Sequence, residues 1–174
     1  MKKQLWIVLL SAFAVVAVSA LALAAEQGLA KADMKFLMDA ADGGLMEVQM
    51  GQIAQQKAES PDVKAFGQRM VTDHGKAGDE LKALAQQKGV TLPEQTADKH
   101  KKEMAKLDKS VGHNFDRMYM EMMVKDHVKD VAEFRRASKK VKDPDLNAWA
   151  NKTLPTLESH LQQAREVAQK LGMK

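Results

Sequence analysis

Residues 60–74 read SPDVKAFGQRMVTDH, and the start of this stretch shows how the chain divides into helices. Ser60 and Pro61 combine an N-cap residue with a proline at the first helical position, a pattern typical of a helix start. The stretch DPDLNAWANK at 143–152 repeats it, with proline, aspartate, an aliphatic residue, alanine, an aromatic residue and a base in matching places. We therefore expect two helical hairpins related by duplication.

Around these two stretches, helix-forming residues dominate and alternating β-branched runs are absent from the sequence. The pattern predicts four long helices, at about 31–59, 61–88, 114–141 and 144–171, with a glycine just after the second and fourth. The connection between the second and third helices is long and polar, and its segment TADKHKKEMAKLDK predicts a short helix. A connection of this length can cross a whole bundle, so we predict an all-α, ferritin-like four-helix bundle with one long crossover.

The N-terminal region has the composition of a secretion signal. Lys2 and Lys3 precede an uncharged apolar stretch, residues 5–25, that contains the small-residue pattern Ala22-Leu23-Ala24 near its end. We predict a cleaved signal peptide at 1–24 and one domain at 25–174, located in the periplasm. The alternative is an uncleaved anchor in the inner membrane, because about 20 apolar residues can span a bilayer.

Composition narrows the possible partners. Removal of Lys2 and Lys3 lowers the formal charge from +4 to +2, and arginines interleaved with aromatics are not visible, so nucleic acid is not an expected partner. The chain has no cysteine, which excludes disulfides and thiolate metal sites. Phosphate loops, nucleophile elbows and Glu-x-x-His pairs are also absent. The sequence therefore gives no reason to expect an enzyme, and it identifies neither a small-molecule substrate nor a protein partner.

Each long helix has an apolar stripe, and each stripe is interrupted by one polar side chain. The four interrupting residues are Glu47, His74, His127 and His160. Counted from the proline that opens the second helix of each hairpin, the two side chains of a hairpin are level to within about one residue, or roughly 1.5 Å of rise. All four lie near the middle of their helices, so we expect them in one layer of the bundle.

This residue set predicts a mononuclear metal site. A buried carboxylate is costly unless it is paired or binds a cation, and three imidazoles with one carboxylate suit Zn(II), Fe(II), Mn(II) or Cu(II). Asp73, Asp126 and Glu158 are predicted to hold the histidines by hydrogen bonds. Two alternatives stay open. One is a metal-free envelope interaction or stress protein with a buried Glu–His network, and the other is a redox enzyme with an open coordination position.

Methionines and glycines near these positions suggest two further features. Met70 and Met123 each precede a histidine by four residues, which would favour copper, although methionine also serves simply to fill cores. Gly43, Gly44 and Gly51 weaken the first helix, and we interpret them as sites where it approaches a neighbouring helix closely.

Three segments carry a resemblance to a known family: residues 43–74, residues 115–134 and DPDLNAWANKTLPTLESH at 143–160. In them the chain resembles a bacterial family of exported ferritin-like domains of unknown function, often labelled "predicted outer membrane protein". The resemblance covers nearly the whole region after the signal. It implies a ferritin-like helical bundle with a long crossover, and it implies no activity. The positions that carry the family motif are Glu47, Asp73, His74, Asp116, Tyr119, His127, Pro155 and His160. From this motif we add Asp116 and Tyr119 to the residues expected to support the metal site.

Overall fold

The computed structural model describes residues 28–173, and within this range all regular structure is helical. The elements are α1 (Lys31–Lys57), α2 (Pro61–Gln87), α3 (Asp98–Asp108), α4 (Gly112–Lys140) and α5 (Pro144–Lys170). The predicted all-α class is confirmed, and every predicted helix bound lies within about two residues of the observed one. The predicted signal peptide lies outside the described residues. Within residues 28–173, no helix combines the length and apolar character needed to cross a membrane.

The two hairpins, α1–α2 and α4–α5, begin their second helices differently. The side chain of Asp143 caps α5 by accepting hydrogen bonds from Asp145 N at 3.1 Å and Leu146 N at 2.9 Å. Ser60 occupies the matching position before α2, but its side chain makes no capping hydrogen bond. Of these two helices, only α5 has an N-cap residue whose side chain accepts hydrogen bonds from the free N–H groups of its first turn.

A carboxylate from each hairpin holds the turn of the other. Asp116, near the start of α4, accepts hydrogen bonds from the backbone N–H groups of Glu59 at 3.1 Å and Ser60 at 2.8 Å. Asp33, near the start of α1, accepts two in the same way from the α4–α5 turn, at 3.0 and 2.9 Å. Asp33 precedes Ser60 by the same number of residues as Asp116 precedes Asp143. The clamp is thus present twice, as expected of a duplicated hairpin.

The connection from α2 to α4 runs between opposite ends of the bundle. The end of α2 lies beside the start of α5, where Lys88 Nζ is 2.8 Å from Asp143 Oδ2. The start of α4 lies beside the α1–α2 turn, which Asp116 holds. Helix α3 lies within this connection and buries Leu107 completely and His100 to 8% exposure.

The apolar core consists of two clusters with a polar layer between them. One cluster contains Met50, Phe66 and Met123, and the other contains Leu81 and Phe134. In every long helix the polar position of the sequence pattern falls where the chain passes from one cluster to the other. The four polar side chains therefore lie in the middle of the bundle.

Two of the three glycine predictions in α1 were wrong. A Cβ on Gly51 would lie 2.6 Å from the Gly67 carbonyl oxygen, so α1 and α2 do approach closely there. A Cβ on Gly43 would meet no atom within 4 Å, and one on Gly44 would meet only His74 Nδ1, at 4.0 Å. Open space, and not a neighbouring backbone, faces Gly43 and Gly44.

Candidate metal centre

Three imidazoles from α2, α4 and α5 converge in the polar layer. One ring nitrogen from each of His74, His127 and His160 lies within 4.8 Å of one from each of the others. His127 and His160 are fully buried, and His74 is 7% exposed. His127 Nε2 and His160 Nδ1 are 3.3 Å apart. Two nitrogens bound to one tetrahedral ion at about 2.0–2.1 Å would be separated by about the same distance.

The hydrogen bonds of His127 fix its protonation. Its Nδ1 lies 2.9 Å from the Met123 carbonyl oxygen, which can only accept, so this nitrogen carries the proton. Burial lowers the pKa of His127, and the ring is neutral near pH 7. Its Nε2 therefore presents a lone pair.

His160 is held in the opposite tautomer. Its Nε2 lies 2.8 Å from Asp73 Oδ2 and donates to that carboxylate. Burial, together with the nearby His74, lowers the pKa of His160 to about 4 although Asp73 acts against the shift. The ring is neutral near pH 7, and its Nδ1 lone pair faces the lone pair of His127 Nε2 with no proton between them.

His74 completes the set through Glu47. Its Nδ1 donates to Glu47 Oε2 at 2.9 Å, and within residues 28–173 its buried Nε2 has no hydrogen-bond partner. Each of the three rings thus offers one N–H to a carboxylate or carbonyl and leaves its second nitrogen free of such a bond. Metal-binding histidines are held in this way.

Glu47 supplies the negative charge of the centre. Its side chain is 2% exposed, and Oε1 lies 3.4 Å from His127 Nδ1 without a hydrogen bond. Burial opposes ionisation, but the charge and hydrogen bond of His74 are the main contributions that outweigh it and lower the pKa of Glu47 to about 2. Burial likewise lowers the pKa of His74, and the Glu47 charge more than reverses that effect. The nitrogens that meet within 4.8 Å belong to the three imidazoles, and Glu47 is not in that group.

Arg69 was missed by sequence reasoning. Its Nε lies 3.2 Å from Asp73 Oδ2, and its other nitrogens bond Gln163 at 2.6 Å and Ser159 at 3.0 Å. Although burial acts the other way, His160 and Arg69 lower the pKa of Asp73. Arg69 therefore links the Asp73 carboxylate, which accepts the hydrogen bond from His160, to two other side chains of α5. The spacing of four residues between Arg69 and Asp73 was the available signal.

The structure places the other predicted supporting residues elsewhere. Glu158 pairs with Arg135 at 2.6 Å on the surface, because it lies two positions from His160 and so on another face of α5. Asp116 holds the α1–α2 turn. Tyr119 is fully buried, its hydroxyl has no hydrogen-bond partner among the described residues, and burial raises its pKa. Asp126 is half-buried and hydrogen-bonds none of the histidines in the described structure.

A cavity of about 1050 Å³ adjoins the centre. Glu47 and His74 line it from the bundle, and His100 lines it from the crossover. Asp126 and Asp130 of α4 line it too, and burial, reinforced by the charge of Glu47, raises the pKa of Asp126 to about 6 and that of Asp130 to about 9. The centre is therefore open to this space on its Glu47–His74 side.

Fold and site together define an all-helical bundle with a buried three-histidine cluster. The chain belongs to the family described as domain of unknown function DUF4142, which matches residues 18–167. No curated protein matches it.

Solved structures of three proteins are similar in fold. A DUF305 protein from Streptomyces coelicolor, described as secreted, is 15% identical with a TM-score of 0.70, over 82% of this chain and 95% of that one. A DUF305 fragment from Deinococcus radiodurans is 12% identical with a TM-score of 0.72, over 82% and 99%. CopM in its Cu(II)-bound form is 19% identical with a TM-score of 0.67, over 79% and 96%. At these identities the likeness shows the fold alone.

Proposed function

We propose that this protein binds one transition-metal ion outside the cytoplasm and serves in metal handling. The observation that carries the proposal is the arrangement of His74, His127 and His160. Each ring is held through one nitrogen, and the second nitrogens converge, two of them 3.3 Å apart. Without an ion, two lone pairs face each other in the core and a third nitrogen is buried without a hydrogen-bond partner. An ion at their meeting point would satisfy all three.

The three imidazoles are the proposed ligands, and Glu47 is the acceptor that orients His74. In the metal-free protein Glu47 and His74 form a buried ion pair. A metal ion at His74 Nε2 takes the place of the proton there while Nδ1–H stays on Glu47, so binding releases a proton. The sequence-based ligand set, with Glu47 as fourth ligand, is the alternative, because Glu47 Oε1 has no hydrogen-bond partner.

Copper leads the candidate metals. Among divalent first-row ions, Cu(II) binds nitrogen ligands most tightly, and imidazole also suits Zn(II) and Fe(II). CopM, which shares the fold, has been solved with Cu(II) and with Cu(I). Zn(II), Fe(II) and Mn(II) are the other candidates.

The test is elemental analysis of protein purified from the periplasm without chelators, followed by calorimetric titration with Cu(II) and Zn(II). We expect one ion per chain, and a variant with all three histidines changed to glutamine should bind none while keeping its helical circular dichroism. A metal-free protein whose melting temperature ignores Cu(II), Zn(II), Fe(II) and Mn(II) would overturn the proposal.

A metal-free role is the second candidate, and the Glu47–His74 ion pair is the observation that favours it. In that case the polar layer only fixes the packing of the bundle, and the protein acts in the envelope by binding a partner. The histidine-to-glutamine variant would then keep partner binding, and neither it nor the wild-type protein would respond to metal.

A further inference from the structure

The cavity beside the centre is kept open by glycines. Gly43 and Gly44 of α1 and Gly75 and Gly78 of α2 line it. A Cβ on Gly43, Gly75 or Gly78 would meet nothing within 4 Å, and one on Gly44 only His74 Nδ1. Glycine is the least favourable residue after proline inside a helix. Because no close helix contact requires these four, their effect is to leave empty space beside His74.

Carboxylates dominate the charged wall of this cavity. Eight Asp and Glu side chains line it against five Lys and Arg side chains, and one of the eight, Asp130, is protonated near pH 7 because burial raises its pKa to about 9. Asp126, Asp130 and Glu133 share one face of α4, and in the described structure their carboxylates take part in no hydrogen bond or ion pair. Lys129 and Arg136 of α4 line the cavity too. Walls of one predominant charge concentrate ions of the opposite charge, here cations.

An imidazole from the crossover faces the same space. His100 of α3 is 8% exposed and lines the cavity, and its Nδ1 makes no hydrogen bond to any residue that the structure describes. The carboxylate of Asp42 lies close to that nitrogen, with its Oδ2 at 3.3 Å. Asp42 Oδ1 in turn accepts a hydrogen bond from Ala97 N at 2.7 Å, which ties the crossover to α1. A buried imidazole of the crossover thus forms part of the cavity wall.

We propose that this cavity is the path by which a divalent cation reaches the three imidazoles, with a transient cation-binding site at Asp126, Asp130 and His100. The inference rests on the proposed function. Carboxylate oxygens and a single imidazole bind a hydrated divalent ion weakly, whereas the buried three-nitrogen site binds it tightly. A cation therefore moves inward past the anionic Glu47 to the centre.

The first test follows the rate of loading. Full-length protein is mixed with Co(II), and the visible absorption of tetrahedral Co(II) at the three imidazoles is recorded by stopped flow. In the double variant Asp126→Asn and Asp130→Asn we expect loading to slow by up to about tenfold, the low end of the range for electrostatic attraction, because Asp130 is protonated near pH 7 and the variant removes about one charge. The final absorption should stay at the wild-type level.

The control variant is Glu121→Gln, which removes one negative charge, as the aspartate variant does near pH 7 because Asp130 is protonated there, but lies outside the cavity wall. It should load at close to the wild-type rate. If the aspartate variant loads as fast as this control, the transient site does not exist. If the wild-type protein itself shows no Co(II) absorption at equilibrium, the proposed function has failed, a result distinct from failure of the path.

The second test fills the cavity without touching a charged residue. We expect Gly43→Leu and Gly78→Leu to slow Co(II) loading several-fold, and Gly43→Ala and Gly78→Ala to have a smaller effect. Leucine and alanine both favour helix over glycine, so the melting temperature should not fall. Loading of both leucine variants at the wild-type rate would show that ions do not pass through this space.

Discussion

Among single residues, Glu47 decides how charge is distributed in the polar layer. It accepts a hydrogen bond from His74 at 2.9 Å and lies 3.4 Å from His127 Nδ1. A buried charge without a partner is costly, so the two ionised groups depend on each other. The consequences of removing the Glu47 charge should therefore differ with and without metal.

Glu47→Gln keeps the volume and removes the charge. If Glu47 orients His74 and is not a ligand, we expect metal affinity to fall by roughly 10- to 100-fold, the usual effect of losing a group that holds a metal ligand. The electron paramagnetic resonance spectrum of the Cu(II) protein should still show three nitrogen ligands. A changed Cu(II) coordination environment in this variant, with affinity reduced far more, would identify Glu47 as a ligand.

Removing the hydroxyl of Tyr119 should not destabilise the protein. Its hydroxyl is buried without a hydrogen-bond partner, while its ring packs 6.2 Å from that of Phe115 in a stacked arrangement. Because an unsatisfied buried hydroxyl costs about 1–3 kcal/mol, Tyr119→Phe should leave the free energy of unfolding unchanged or raise it. Urea denaturation measures the change. A loss of more than about 1 kcal/mol would mean that the hydroxyl has a partner in solution.

At the scale of the helices, the start of α5 depends on one side chain. Asp143 accepts hydrogen bonds from two N–H groups of α5, whereas Ser60 makes no such bond before α2. We expect Asp143→Ala to lower the free energy of unfolding by about 1 kcal/mol or somewhat more, and Ser60→Ala to lower it much less. Urea denaturation of the two variants tests the difference.

The effect of Asp143 should depend on pH. Although burial acts against it, the hydrogen bond from Lys88 lowers the pKa of Asp143 in the folded protein. A lowered folded-state pKa stabilises the protein above the unfolded value of about 3.9, and this contribution is lost as pH falls through the folded-state value. The gap between wild type and Asp143→Ala should therefore be smaller at pH 3 than at pH 7. An equal gap at both would contradict this account.

Two glycines of α1 offer a matched pair at the same scale. Gly51 packs against Gly67 with no room for a Cβ, whereas Gly43 faces the cavity. Gly51→Ala forces two backbones apart and should destabilise the protein by about 1–3 kcal/mol. Gly43→Ala should stabilise it by up to about 1 kcal/mol, because alanine favours helix. Thermal melting of both variants tests the pair, and equal shifts would show that the two glycines have the same surroundings.

For the whole molecule, the sequence predicts the helices well because capping residues, prolines and apolar periodicity are local signals. Counting residues from the proline of each hairpin also predicted that Glu47 and the three histidines lie in one layer. What it could not predict is which ring nitrogen is free, because that depends on acceptors from other helices, such as Asp73 for His160. The space facing Gly43 could not be predicted either, because periodicity shows which face of a helix is buried but not what lies opposite that face.

The centre is assembled from both hairpins. His74 belongs to the α1–α2 hairpin, and His127 and His160 belong to the α4–α5 hairpin. Away from this layer, Asp33 and Asp116 each hold the turn of the opposite hairpin. An ion bound by the three imidazoles therefore joins the hairpins at mid-height, between the two clamps.

This arrangement predicts that metal and clamps stabilise the molecule independently. Asp33→Ala leaves two backbone N–H groups of the α4–α5 turn without their acceptor and should cost about 1–3 kcal/mol. Metal at about 100 times its dissociation constant should add about 2.7 kcal/mol to the free energy of unfolding, because it binds only the folded state. The clamp and the centre share no residue, so the gain should be the same in wild type and in Asp33→Ala.

Urea unfolding with and without Zn(II) measures both, with the histidine-to-glutamine variant as the control that gains nothing. If Asp33→Ala lost the metal-dependent gain while wild type kept it, the clamp would control the geometry of the centre, and the two could not be treated as separate.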